Sequence, residues 1–227
     1  TTLTMQNTVL MGVFFALPLY LQVVQGLDAF ESGLKMLPIS VTMLAASMSG
    51  PALAERFAAR GIVRAGFGVL AVGVLVLMGT MEPDLDGVAF LVATAVLGIG
   101  MGLIVSQLGN VIMSSVASTD RGEAGGLQYT AQSLGSSIGA ALIGAVGLGG
   151  LASGIDANVA DDTRVGDDLQ AALGVATEQG VEFVSIDQVA DDLASTDLSA
   201  DEQAAVVDGF GDAQLQALKT GLLVAFF

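Results

Sequence analysis

The chain has 227 residues, of which 53% are hydrophobic and 13% charged, with 30 Gly and a mean hydropathy of +0.73; water-soluble globules of this length rarely carry that balance, so the bilayer is the first solvent to test. Absence of Cys, His and Trp removes thiolate nucleophiles, imidazole bases and zinc or haem sites that depend on those ligands, which argues against an enzyme and predicts no cofactor and no metal. The formal net charge of −16 is unevenly placed: residues 1–155 hold eight acids and five bases, and residues 156–227 hold fifteen acids and two bases, so an apolar part precedes a polar acidic one and no nucleic-acid partner is expected.

A hydrocarbon core about 30 Å thick asks for about 20 apolar residues as helix. Residues 1–27, 36–54, 65–81, 87–119 and 124–155 contain no Asp, Glu, Lys or Arg. They predict five transmembrane helices, at approximately 3–25, 36–54, 63–81, 88–115 and 126–150. Pro18 and Pro38 fall inside the first two, where the lost backbone donor predicts kinks. Residues 156–216 read as an acidic extracytoplasmic loop with short helices. Ser199 with Glu202 has capping-box spacing, and Asp212 is a candidate cap for the helix that re-enters the membrane. A calcium loop starting at Asp161 would place Gly166 correctly at its sixth position, but Val165 and Ala172 supply no side-chain oxygen at the fifth and twelfth. Solvated acidic surface is the simpler reading. Residues 217–227 read as the start of a truncated final span. The opening lacks an initiator Met, a basic region and a cleavage site, so the chain reads as a fragment at both ends rather than as one led by a signal peptide.

Basic residues near span ends are retained on the cytoplasmic side. Arg56, Arg60 and Arg64 follow the second span and Arg121 the fourth, whereas Asp28, Glu31, Lys35, Glu82, Asp84 and Asp86 occupy the first and third loops. The start of the chain is therefore expected in the cytoplasm, and residues 156–216 outside it.

Uncharged polar residues in the hydrocarbon zone must find a partner in the bundle or line water. Gln107, Asn110 and Ser114, with Ser106 beside them, share one face of the fourth span, and Gln128, Gln132 and Ser136 share one face of the fifth. Either interhelical hydrogen bonding or a polar substrate cavity accounts for them. Gln6, Asn7, Tyr20 and Gln22 lie mostly near the ends of the first span, where interfacial solvation suffices. Gly98 and Gly102, and Gly135 and Gly139, recur at the spacing that lets helix backbones approach. No carboxylate or Lys lies mid-span, so a proton-carrying acid is expected in a part of the protein that this chain lacks.

Three stretches carry a family resemblance. The first is Tyr20-Leu21-Gln22 with Gly26, Gly33-Leu34 and Leu37-Pro38. The second runs from Pro51 to Arg60 and is similar to a cytoplasmic loop motif, Gly-x-Leu-Ala-Asp-Arg-x-Gly-Arg-Arg, through Leu53, Ala54, Arg56 and Arg60, with Pro51, Glu55, Ala58 and Ala59 departing from it. The third is Asp120-Arg121-Gly122-Glu123-Ala124 with Gly126, Gln132, Gly135 and Gly139. Together they resemble the C-terminal half of the major facilitator superfamily, most closely the fourteen-span drug:proton antiporters of the EmrB/QacA type. The resemblance implies an all-α integral membrane fold, six helices with the last truncated. It also implies proton-coupled multidrug efflux by alternating access in a cell membrane, with residues Glu55, Arg56, Arg60 and Arg64 forming the loop motif. The implied partners are the lipid bilayer, small lipophilic or cationic substrates, protons and the missing N-terminal half of the same chain. An exporter of a metabolite or siderophore, and a membrane-anchored partner-binding protein without transport, are the alternatives.

Overall fold

A computed structural model describes residues 2–81, 87–114, 116–117, 119–160, 164–166, 169–170, 173–174, 183–196 and 198–226. Among them the secondary structure is helical: α1 (Thr2–Leu19), a π-helical turn (Tyr20–Val24), α2 (Ala29–Ala54), α3 (Ala59–Thr80), α4 (Gly87–Ser114), α5 (Arg121–Ala160), α6 (Ile186–Ala194) and α7 (Ala200–Phe226). Five segments are long and apolar enough to cross a membrane, Gln6–Val24, Ala29–Ala54, Ala59–Thr80, Gly87–Leu108 and Arg121–Asn158, which makes this an all-α, multi-pass membrane architecture. The acids of the third loop, Glu82, Asp84 and Asp86, lie outside the described residues, as do Asp161 and Ala172 of the calcium test.

Helix ends follow polar caps rather than the limits of the apolar runs. The α2 helix begins at Ala29 because Asp28 and Glu31 cap it reciprocally: the Glu31 N–H donates to Asp28 Oδ1 at 2.7 Å and the Asp28 N–H to Glu31 Oε2 at 3.4 Å. Pro18 lies near the end of α1, and the π-helical turn opens two residues later, closed by Gln25 N–H donating to the Tyr20 carbonyl at 3.1 Å. Gly26, at φ +64°, then turns the chain toward α2. The α5 helix has 40 residues, about 60 Å at 1.5 Å per residue, roughly twice the hydrocarbon thickness. Asp212 does not cap a helix, contrary to expectation. The capping box does its work earlier, at Ser199 and Glu202, and α7 runs unbroken from Ala200 through Asp212 to Phe226.

The chain divides into two compact units. The first comprises Thr1–Met11 and Gly33–Gly139. Within it α4 packs on α3 through interlocked small and large residues. A methyl on Gly66 would meet Ile104 Cγ1 at 2.7 Å, one on Gly73 would meet Leu97 Cδ2 at 2.9 Å, and one on Gly100 would meet the Leu70 nitrogen at 2.7 Å. Leu70, Val74, Leu77, Ala93, Leu97, Met101 and Ile104 are buried there.

The second unit comprises Gly12–Ser32 and Ala140–Ala225. Its core joins Leu151 and Ile155 of α5 to Ala205, Ala213 and Ala217 of α7, with Val165 beneath and Phe183 and Phe210 at the edge. Gly150 faces Ala217 and Gly154 faces Ala213, one helical turn apart on both sides, so the two backbones approach closely. Polar ties to backbone carbonyls supplement the apolar contact: Asn158 Nδ2 donates to the Gly209 carbonyl at 3.1 Å and Gln214 Nε2 to the Val184 carbonyl at 2.7 Å. The second of these docks the start of α6 onto α7, helped by Ile186 against Gly211.

Candidate functional site

Of the polar residues singled out in the fourth span, Ser106 and Gln107 have described side chains, and both lie where α4 meets α2. The α2-facing side of α4 carries Gly98, Gly102 and Ser106 at successive four-residue steps. A methyl on Gly98 would overlap the Ile39 carbonyl and Thr42 Oγ1, and one on Gly102 would overlap the Met43 carbonyl. Farther along, the glycine is on α2: a methyl on Gly50 would lie 2.5 Å from Ser106 Cβ and 3.1 Å from Gln107 Nε2. The Thr42 hydroxyl at this seam donates within its own helix, 2.7 Å from the Pro38 carbonyl, so a polar side chain crosses a hydrocarbon-facing contact without an unmet donor.

Gln107 is wholly buried, at 0% exposure. Its Nε2 donates to the Gly50 carbonyl at 2.9 Å, across α4 to α2, and lies 3.4 Å from Ser106 Oγ. The Ser106 hydroxyl donates in turn to the Leu103 carbonyl at 2.8 Å. Gln107 Oε1 is buried without a partner among the described residues. This amide is therefore engaged in helix packing rather than facing an open cavity. The side chains of Asn110 and Ser114 lie outside the described residues.

Gln128, Gln132 and Ser136 on α5 are half-buried, and among the described residues none has a hydrogen-bond partner. Their arc of the helix overlaps the one through which α5 meets α1. There a methyl on Gly135 would lie 2.6 Å from the Thr4 carbonyl, and one on Gly139 would lie 2.9 Å from Thr8 Cα, while Thr8 Oγ1 sits 3.2 Å from the Gly135 carbonyl. This face thus combines close backbone contact with two amides and a hydroxyl that have no hydrogen-bond partner among the described residues. The structure brings Ser106 and Gln107 together with Gly50, and Gln132 and Ser136 together with Gly135.

Glu55 and Arg56 occupy the turn after α2, and Arg60 and Arg64 the first turns of α3; all four are exposed, and among the described residues none makes an ion pair. They form a solvated charged rim. Among the described residues no group of three or more carboxylates could hold a metal ion. On the opposite end of the hydropathy pattern, Ser199 and Glu202 set the start of α7. The Ser199 hydroxyl and backbone N–H both donate to Glu202 Oε2, at 2.7 and 2.9 Å, and hold its carboxyl below the usual carboxylate range.

Sequence reasoning passed over Gln214, which is 0% exposed and whose Oε1, like that of Gln107, has no partner among the described residues. Its environment of Ala213, Leu215 and Ala217 in an otherwise acidic segment was the available signal. Ser32, 2% exposed with no partner for its hydroxyl among the described residues, was also missed, because it lies within one turn of Asp28 and Glu31 and reads as loop.

Residues 1–140 match the sequence profile of the Major Facilitator Superfamily. The chain is 32% identical over 173 residues to the probable actinorhodin transporter of Streptomyces coelicolor, a match covering 74% of this chain and 30% of that protein. It is 30% identical over 137 residues to a multidrug efflux pump of Mycolicibacterium smegmatis, covering 60% of this chain and 27% of the pump. It is 32% identical over 133 residues to the tetracenomycin C resistance and export protein of Streptomyces glaucescens, covering 59% and 24%. The chain spans about three-tenths or less of the length of these relatives.

Proposed function

Because this chain belongs to the major facilitator superfamily, we propose that it forms part of a secondary active exporter of small compounds, driven by protons and working by alternating access. The single observation that carries this reading is that relatives matching most of the bundle are themselves named for transport, efflux or export. Cargo would be held near the midplane between this bundle and the remainder of the polypeptide. The uncharged, incompletely bonded face of Gln128, Gln132 and Ser136 supports loose recognition of lipophilic and cationic compounds, since it presents amides and a hydroxyl without a fixed charge. The proton-carrying acid would lie in the remainder of the polypeptide, because the charge-free runs of this chain offer none.

We place the start of the chain in the cytoplasm and the acidic segment outside, in a bacterial plasma membrane, on the strength of Arg56, Arg60, Arg64 and Arg121 in alternate loops. Export of one dedicated compound is a second reading, favoured by the name of the Streptomyces coelicolor relative. The test is efflux of fluorescent cationic dyes from efflux-deficient bacteria expressing the full-length protein, with and without a protonophore. Efflux that collapses with the protonophore supports the multidrug reading. Retention of several unrelated dyes despite verified membrane expression removes it and leaves the dedicated exporter.

A further inference from the structure

The contact between Gln107 and Gly50 combines three unusual features. The first is a weak point in α2. Gly50 is followed by Pro51 inside the helix, and Pro51 has no N–H for the Ser47 carbonyl one turn back, so the Gly-Pro pair is, with Pro38, one of two places where α2 lacks a backbone donor and bends more cheaply. The second is that the glycine at this weak point has no room for a methyl: Ser106 Cβ would lie 2.5 Å from it. The third is Gln107 itself, an amide at 0% exposure that gives one proton to the Gly50 carbonyl and whose Oε1 has no donor among the described residues. A buried acceptor without a donor is a standing penalty that a leucine would not carry. If packing were the only purpose, a leucine would serve α4 better.

We propose that Gln107 is the latch of a hinge at Gly50–Pro51, holding α2 against α4 in the state seen here and releasing it during the transport cycle. Gln107 is then a positioning residue and makes no contact with cargo. Its carboxamide suits a contact that must break, because a single interhelical hydrogen bond is weak enough to exchange for another partner. The unmatched Oε1 gives the released side chain an acceptor for a donor that arrives when the helices part. Glu55 and Arg56 begin one turn beyond Gly50, so motion at the hinge is transmitted directly to the charged loop.

The proposal rests on the transport reading for its purpose, but its test needs no cargo. The chain has no cysteine, so Ser49→Cys, beside the hinge and half-buried, reports separation of α2 from α4. It would be introduced into the full-length protein cleared of any other cysteine, and its labelling by N-ethylmaleimide measured in membrane vesicles. Gln107→Leu is expected to raise the labelling rate about threefold, the factor corresponding to one interhelical hydrogen bond in a membrane, and Gly50→Ala to raise it by at least as much, because its methyl would lie 2.5 Å from Ser106 Cβ. Gln107→Glu distinguishes a latch from a spacer within one protein. Its protonated carboxyl can still donate to the Gly50 carbonyl, whereas its carboxylate cannot. Labelling relative to the Gln107 protein at the same pH should therefore be slow in acid and fast in alkali. Unchanged labelling in Gln107→Leu, or a pH-independent ratio in Gln107→Glu, overturns the latch. So does a Gln107→Leu protein that raises the KM for exported dye without altering labelling, since that assigns the amide to cargo. Failure of dye export with the labelling pattern intact would overturn the export reading and leave the latch standing.

Discussion

Gly135→Ala and Gly144→Ala place the same methyl on the same helix and should have opposite effects. At Gly135 the new carbon would lie 2.6 Å from the Thr4 carbonyl and 2.9 Å from Asn7 Cβ, whereas at Gly144 it meets nothing within 4 Å. Ordinary contact begins at 3.4 Å, so α1 and α5 must part by about 0.8 Å at Gly135. The Thr4 carbonyl is backbone and cannot rotate away. A gap of 0.5–1 Å already forfeits about a quarter to a half of each dispersion well along the opened seam, and overpacking of this kind typically costs about 1–3 kcal/mol. Both substitutions gain the helix preference of Ala over Gly, about 0.8–1 kcal/mol, so this contribution cancels in their difference. Gly135→Ala should therefore be less stable than Gly144→Ala by about 1–3 kcal/mol, with Gly144→Ala equal to or above the parent. The assay is equilibrium unfolding of the purified full-length protein in detergent with a graded denaturant, monitored by helical circular dichroism. Equal midpoints for the two variants would refute the reasoning, since they would mean that the α1 seam opens without loss.

Three further outcomes follow from polar contacts. Glu202 has its carboxyl lowered below the unperturbed 4.5 by the Ser199 hydroxyl and N–H. A depressed acid stabilises fully above its unfolded value and loses that contribution as pH falls through its folded one, so the α7 start should begin to fray below about pH 4.5. Hydrogen exchange of the amides at residues 200–203 should show this in the parent and not in Glu202→Gln. Gln214→Leu removes the donor to the Val184 carbonyl while leaving the Ala213 and Ala217 packing, so faster hydrogen exchange should be confined to α6 and the start of its docking segment. Arg164→Ala breaks a contact of 3.2 Å to Asp208 whose side chains are 42% and 65% exposed; exposed pairs contribute about 0–1 kcal/mol, and the unfolding midpoint should barely move.

The spans were legible because hydrocarbon leaves the backbone no solvent partner, so a charge-free run of about 20 residues has one common solution, the helix. Their ends were legible only where a side chain competes for the terminal amides. Asp28 and Glu31 announce the start of α2 in the same pattern that Ser199 and Glu202 announce α7, but apolar counting alone starts α2 seven residues late, at Met36 rather than Ala29. Asp212 misled for the same reason: an acid before an apolar run resembles a cap, yet the preceding turn already has its own helical donors and acceptors. The glycines show the limit most clearly. Four-residue spacing selects Gly135 and Gly139, but Gly122, Gly126 and Gly144 on the same helix face open space. What lies opposite a glycine is a property of another helix and is absent from local pattern.

The same limit governs the polar residues, and it separates two kinds of glutamine. Spacing groups Gln107 with its neighbours as it groups Gln128 with Gln132, yet Gln107 reaches a carbonyl 57 residues away and Gln132 reaches none among the described residues. Gln214, buried in the other unit, repeats the Gln107 arrangement, with Nε2 on the Val184 carbonyl and no partner for Oε1 among the described residues. Two buried amides that each satisfy a foreign backbone carbonyl and have no donor to their own oxygen among the described residues are poor choices for stability alone, because a buried acceptor without a donor carries a desolvation cost. They are good choices for joints. A joint needs a bond specific enough to define one arrangement and weak enough to be exchanged, and a carboxamide supplies both with no charge to desolvate. The proposed cargo face, by contrast, needs amides that are not already committed, and Gln128 and Gln132 have no hydrogen-bond partner among the described residues. Substituting the two classes should therefore divide transport kinetics cleanly: Gln132→Ala should raise the KM for exported dye with helix separation unchanged, and Gln107→Leu should alter helix separation with KM unchanged.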